Sequence, residues 1–554
     1  MRAAFLILLL LAAPAAAQTI TVSDEVTATL GPETFGIQYH RNTYSALLAL
    51  EKLAPLPLRG VRIWAYPSRF HPTPTTWDWE ELDTMITEAV AAGYDPWVCL
   101  FQAETWYAGT PEDPWWHDAD ARAEWARTAA ALAERYADTV DRWIVFDEIN
   151  ILHPSRPAYM SPTLAAELYV EAAEAIRQSD PGAQIGGPSN FAGWENGYWA
   201  QRVLAQPGGA EALDFVSSNL FLSWDADDTN DEILSRTIWY EEAATKMRDM
   251  IGTADDPALV LDAYNVSALW TRDGTPTGDL WTDPRNVDTF GGVVQTLAQL
   301  HALQGGFDTL LRWETLGGFG ILRWYPAFEE RPPYWAWRLL TEAGRLRPGA
   351  TLLRAETTEP PLPDLPHHSG QNAAGHEVQP FAVRDATGTS VVLVNKTEAS
   401  REVTLLAPHA SVRPEVYRFD ASRHASALDP IRDLPAVATD APIALTLPGT
   451  SVTVVSFGTA ASTASETTPA DGLRLTVAPT PYRESTRLGI ETDRGGHVSL
   501  TLWSVQGRRI ATLMEGPRSA GTASVAVPSL APGTYLARLC VDAACVTQPL
   551  TRTR

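Results

Sequence analysis

Residues 30–349 are predicted to fold as an α/β protein, a closed (β/α)8 barrel, with all-β modules after it. Three observations predict this class. Eight short, near-continuously apolar runs recur between residues 34 and 315, as strands buried on both faces require. Stretches with helical spacing alternate with them. No glycine-rich phosphate loop follows the first run, which disfavours an open doubly wound sheet.

The eight runs are TFGIQY (34–39), GVRIWA (60–65), DPWVCLF (95–101), RWIVFDE (142–148), AQIGGP (183–188), LDFVSSNLF (213–221), ALVLDAY (258–264) and TLLRWET (309–315). Between them, DADARAEWARTAAALAERYA and SPTLAAELYVEAAEAIRQ open on Asp or Ser, good N-caps, and carry apolar residues at helical spacing. Beyond residue 350 the period changes to two. FAVRDATGTSVVLVNKT and APIALTLPGTSVTVVSFG alternate apolar and polar residues between turns, so 350–458 reads as a β-sandwich. TAASTASETTPADG (459–472) is a polar linker of small residues. Residues 473–554 are again strands and turns. Cys540 and Cys545 lie close together in RLCVDAACVT, placed for a disulfide across a hairpin, whereas Cys99 in PWVCLF reads as a buried thiol.

Residues 1–17 have the form of a secretory signal: one arginine, a leucine-rich run too short to span a bilayer, and a small-residue exit at Ala17. An exported protein without a transmembrane segment is expected. The net charge of −25 argues against nucleic acid or an anionic membrane as partner, and it disfavours an acidic substrate. No His/Cys/Asp cluster has metal-binding spacing, no Ser-His-Asp order stands out, and nothing calls for a cofactor.

A barrel of this kind carries its chemistry at the C-terminal ends of its strands. Those ends hold Gln38, His40, Arg62, Trp64, Glu104, Trp106, Asp147, Glu148, Asn190, Asn219, Phe221, Asp262, Tyr264, Trp313 and Glu314. Such a mouth of carboxylates, amides and aromatics suits carbohydrate. Of twenty tryptophans, all but Trp503 precede residue 338, and aromatic faces such as those in PWW (114–116) and TWY (105–107) can stack on sugar rings.

DRWIVFDEIN resembles the fourth strand of the clan of retaining barrel glycosidases that includes arabinofuranosidases and β-xylosidases. There an Asn-Glu pair ends the strand, and Glu148 falls on the general acid/base. GVRIW is similar to the second strand, whose arginine, here Arg62, supports the floor of the site. LDFVSSNLF matches the sixth strand and LVLDAYNVS the seventh, whose glutamate is the nucleophile. The resemblance covers residues 30–458 and implies a glycoside hydrolase acting on poly- or oligosaccharide, with the sandwich as accessory domain. The last module resembles the C-terminal sorting domain of the type IX secretion system, on APTPY, LTLWSVQGRR, SAGTASV and LAPGTYLARL. That implies the secretion machinery as partner, with release or attachment at the cell surface. Without the resemblance, this stretch reads as an immunoglobulin-like module.

The departures bear on mechanism. Alanine, Ala263, stands at the nucleophile position, Asp147 replaces the asparagine, and Asn219 and Phe221 replace a histidine and a tyrosine. Strand alternation turns Asp262 away from Ala263's face, so it is not expected to substitute. Three readings follow. Glu148 can act as acid while Glu314 or Glu104 activates water for inversion, at a carboxyl separation of roughly 6.5–9.5 Å. A 2-acetamido substrate can supply its own nucleophile, oriented by Asp147 beside Glu148. Alternatively, the barrel is a pseudo-glycosidase that binds carbohydrate without cleaving it. Arg62, Trp64, Glu104, Trp106, Asn219, Phe221, Asp262, Tyr264 and Trp313 are the expected substrate contacts.

Overall fold

A computed structural model describes residues 18–39, 46–102, 105–107, 109–110, 113–150, 160–191, 196–225, 227–252, 257–269, 282–323, 328–358, 375–407, 413–435, 437–438, 441–458, 473–478, 485–492, 495–504, 509–531, 533–541 and 544–552. The signal segment and the linker lie outside them. Two units separate, 1–459 and 460–554.

The strands are β1 (Gln18–Thr29), β2 (Phe35–Tyr39), β3 (Gly60–Ala65), β4 (Asp95–Leu100), β5 (Arg142–Val145), β6 (Gln184–Gly186), β7 (Asn190–Phe191), β8 (Phe215–Ser223), β9 (Ala258–Ser267) and β10 (Thr309–Arg312). Strands β2–β6 and β8–β10 pair in parallel in the order β6-β5-β4-β3-β2-β10-β9-β8, and Gly186 of β6 meets Phe215 of β8 to close the ring. Each of the eight apolar runs contributes one barrel strand. The helices are α1 (Ala46–Lys52), α2 (Pro67–Phe70), α3 (Glu80–Ala91), α4 (Ala119–Tyr136), α5 (Pro162–Ser179), α6 (Asn196–Leu204), α7 (Gly209–Ala212), α8 (Asn230–Ser235), α9 (Trp239–Ile251), α10 (Thr289–Gly305) and α11 (Pro332–Glu342). Asp118 caps α4 by accepting from Asp120 N and Ala121 N, and Ser161 caps α5 with Pro162 next to it. On α4, Trp125, Thr128, Ala129, Leu132, Ala133 and Tyr136 make one buried stripe.

The lower barrel interior trades small residues for large ones. A Cβ on Gly60 would press into the Trp97 indole, and one on Gly186 would enter the Phe215 ring. Trp97, Phe215, Cys99, Ile144, Val260 and Leu311 fill the space so left.

Strands β11 (Thr351–Thr357), β12 (Val378–Asp385), β13 (Gly388–Asn395), β14 (Arg401–Leu406), β15 (Glu415–Phe419), β16 (Arg432–Asp433), β17 (Ile443–Leu447) and β18 (Ser451–Gly458) form the expected all-β region as one nine-stranded sheet. Its ninth member is β1, seated between β11 and β14, so the chain enters the sheet before it builds the barrel. Helix α10 is buried on every side because this sheet covers the face that other barrel helices expose. Phe419 packs where a side chain on Gly292 would go, and Phe381 meets His301 edge-on at 4.9 Å.

In the second unit, β19 (Leu473–Ala478), β20 (Arg487–Thr492) and β23 (Gly521–Ala526) form one sheet. The other holds β22 (Arg509–Arg518), β21 (Gly496–Ser504), β24 (Gly533–Val541) and β25 (Ala544–Arg552). They enclose their own core around Leu488, Leu500, Leu502 and Leu539. Cys540 is disulfide-bonded and stands opposite Cys545 in the register, while Cys99 is a free, buried thiol. Among the described residues no helix is long and apolar enough to cross a membrane.

A Cβ on Gly36 would collide with the Leu311 side chain and the Gly60 carbonyl. Gly36→Ala is therefore expected to destabilise the barrel by about 1–3 kcal/mol, read as a lower denaturant midpoint with unchanged slope. An unchanged midpoint would show that the strands part more easily than this packing implies.

Candidate functional site

Alternation on β3 sends Val61, Ile63 and Ala65 out to the helices and Arg62 and Trp64 into the barrel. The Arg62 guanidinium, 1% exposed, donates through Nη2 to Asp147 Oδ1 at 2.5 Å and to Cys99 Sγ at 3.2 Å. Its Nη1 reaches the Asp262 carbonyl at 3.3 Å, and Asp262 Oδ2 lies 3.5 Å from Nη2. Asp262 is fully buried, and burial pushes its carboxyl up to about 6. Arg62 opposes that rise and Asp147 adds to it.

Strand β5 ends at Val145, and the next residues turn sharply. Phe146 and Glu148 have φ of 72° and 48°, a left-handed conformation that costs non-glycine residues about 1–3 kcal/mol each. Phe146 stacks outward on Trp125 of α4, rings 5.2 Å apart, while Asp147 turns in to Arg62. Glu148, partly exposed, accepts from Asn219 Nδ2 at 3.0 Å. Asn219 Oδ1 in turn accepts from Ser189 Oγ at 3.0 Å, which fixes the orientation of the amide. The bend thus overrides alternation and brings both neighbouring carboxylates inward.

A bulge interrupts β8 and β9. Ser218 pairs with Leu261 and Asn219 with Ala263, leaving Asp262 as the extra residue. Tyr264 accordingly turns outward, where its hydroxyl accepts from Gln299 of α10 at 3.0 Å and its ring meets Tyr240 of α9. The alternation expected from sequence is corrected here. Asp262 faces inward beneath Arg62, Ala263 shares the face of Asn219, and Tyr264 packs among helices instead of lining the mouth.

Trp313 lies against Trp64, centroids 4.8 Å apart, with Phe221 edge-on at 6.5 Å. Tyr66 and Phe101 extend the strip, at 6.1 Å from Trp64 and 4.9 Å from Tyr66 respectively. Asn265 Nδ2 donates to the Trp313 carbonyl at 2.6 Å and Arg312 Nη1 at 3.0 Å, so two buried donors set the end of β10. Glu314 is 5% exposed, and burial pushes its carboxyl up to about 8 despite Arg312 and Arg331. A carboxyl raised in this way favours its protonated form, which works against a role as general base.

Glu104 lies outside the described residues. Trp106, 42% exposed, belongs to a separate 430 Å³ cavity with Asp113, Trp115, Asp118 and Glu124. Tyr107, Trp115 and Trp116 are buried and pack against one another, which corrects the expectation of sugar-stacking faces there. Ser189, which positions Glu148's partner, and Asn265, which positions Trp313, are not singled out by sequence: Ser189 belongs to no motif, and Asn265 lies within LVLDAYNVS without a charge or spacing that marks it. Beside Trp64 and Tyr66 opens a groove of about 640 Å³, lined also by Arg69, Phe70, Asp78, Glu80 and Glu81. It lies on the upper face, where the N-terminus of α3 meets the end of β3.

No protein-family profile and no curated protein matches the sequence. Solved structures do. An α-L-arabinofuranosidase from Thermotoga maritima, solved with arabinose, superposes with a TM-score of 0.56 at 14% identity over 80% of this chain and 100% of that one. A GH30 endoxylanase from Clostridium papyrosolvens gives 0.53 at 13% over 80% and 100%. The GH51 α-L-arabinofuranosidase from Thermotoga petrophila gives 0.55 at 12% over 79% and 99%. The chain shares the barrel-and-sheet fold of these glycoside hydrolases.

Because Asp262's folded value exceeds the roughly 3.9 of an unfolded carboxyl, the stability its proton confers is full below that value and lost as pH rises through about 6. Asp262→Asn is expected to raise stability at pH 7.5, by at most ~3 kcal/mol, and to leave it nearly unchanged at pH 4. Melting curves at both pH values check this. Equal loss at both would mean that the carboxylate is needed to hold Arg62.

Proposed function

We propose that the barrel binds oligosaccharide along the aromatic strip of its upper face without hydrolysing it by the two-carboxylate route. The carrying observation is Ala263, which stands opposite Asn219 and is fully buried, so neither a carboxylate nor a water-sized space occupies the position of the second catalytic group. The remaining described carboxylates do not replace it. Asp147 is held by Arg62, Asp262 is sealed beneath it, and Glu314 keeps its proton. Substrate assistance is weakened by the same ion pair, since Asp147 is buried and turned down to Arg62.

The saccharide itself is supported by the shared glycosidase fold and by the half-buried rings of Trp313 and Tyr66, which flank the buried Trp64 beside an open groove. Hydrolysis has one observation in its favour. Glu148 remains partly exposed and oriented through Ser189 and Asn219, more than binding requires. The signal-like N-terminus and the sorting-domain resemblance of 473–554 support export through the type IX system, with release or surface attachment.

Calorimetry with neutral oligosaccharides, alongside aryl glycosides assayed by NMR, tests the reading. Binding without product is expected, and Trp313→Ala, which removes a half-buried ring, should weaken it about tenfold. Turnover by the native protein that disappears in Glu148→Gln would overturn it and restore Glu148 as catalytic acid.

A further inference from the structure

We infer that His301 makes the contact between the barrel and the nine-stranded sheet acid-sensitive: protonation of its buried ring loosens the β12–β13 hairpin from the C-terminal half of α10. This is a property of the fold and does not depend on what the barrel mouth binds.

His301 lies in the last turns of α10 and is buried, its ring meeting Phe381 of β12 edge-on at 4.9 Å. Its Nδ1 stands 3.1 Å from Glu241 Oε2 of α9. An ionised carboxylate only accepts, so the neutral ring keeps its proton on Nδ1 and donates it to Glu241. A second proton must therefore go to Nε2, which is buried and has no hydrogen-bond partner among the described residues. The imidazolium so formed carries an unpaired N–H into a dry contact. It also meets like charge. His376 precedes β12 and Lys396 follows β13, and the antiparallel pairing of these strands brings both to one end of the hairpin, where Lys396 N donates to Glu377 O at 2.8 Å. The other charges on β1 and α11 are paired away from the ring, Asp24 and Glu25 with Arg384 and Arg354, Arg338 with Glu342, and β18 contributes none. Burial above all, helped by Lys396 and His376, holds the imidazole below its ordinary value of about 6.5 against the pull of Glu241. The neutral ring's contribution to the contact is thus complete above that ordinary value and is lost as pH falls through the lowered one. At the other end of α10, Phe419 of β15 packs over Gly292 beside Ala336, an apolar contact with nothing to titrate.

The test is hydrogen exchange read by mass spectrometry on the full chain at pH 7.5 and 5.0, corrected for the intrinsic pH dependence of exchange. Segments 298–305 and 378–395 are expected to open about tenfold more at the lower pH, while 289–294 and 415–419 stay unchanged. In His301→Phe/Glu241→Gln, which keeps a ring against Phe381 and removes both titrating groups, the acid response should vanish. In Lys396→Met, which keeps His301 and takes away one cation, it should shrink. Equal opening at both pH values, tighter packing in acid as Glu241 grips the imidazolium, or an acid response that survives either variant unchanged would overturn the inference.

Discussion

The buried guanidinium of Arg62 is the constraint around which the upper barrel is arranged. A charge 1% exposed must find partners, and it takes them from three strands: Asp147 after β5, Asp262 on β9 and Cys99 on β4. Burial and the second carboxylate, Asp147, raise Asp262 to about 6 against the pull of Arg62, so the excess negative charge is relieved by its proton only below that pH. The ion pair with Asp147 also anchors the strained turn at 146–148, so that Glu148 lies against Asn219 rather than following the strand outward.

That arrangement separates the tasks of two adjacent carboxylates. Asp147 is structural, turned down to the floor. Glu148 faces the mouth, held by an amide whose orientation Ser189 determines. On the opposite wall the bulge at Asp262 brings Ala263 onto the face of Asn219, where a methyl group offers no chemistry and no room.

The nine-stranded sheet packs on the barrel through two helices, α10 and α11. α10 is buried around its circumference because β9 and neighbouring helices cover one side and the sheet the other. β1 ties the start of the chain into that sheet between two later strands. Its sequence, QTITVSDEVTAT, is too polar on one face to declare a partner from sequence.

The sequence by itself determined the eight barrel strands, the helices between them and the change to all-β texture after residue 350, because apolar period and capping residues are local signals. It also holds an alanine, Ala263, directly after Asp262 in the seventh apolar run. Only the tertiary structure decided which way the residues around it face. A one-residue bulge reverses alternation between Asp262 and Tyr264, and two left-handed residues bring Asp147 and Glu148 to one side. Neither has a local signature, since each follows from how a strand end meets Arg62, Asn219 and the helices behind them. Burial likewise decided that Glu314 holds its proton and that Trp115 and Trp116 are core, because accessibility belongs to the packed chain and not to the residue.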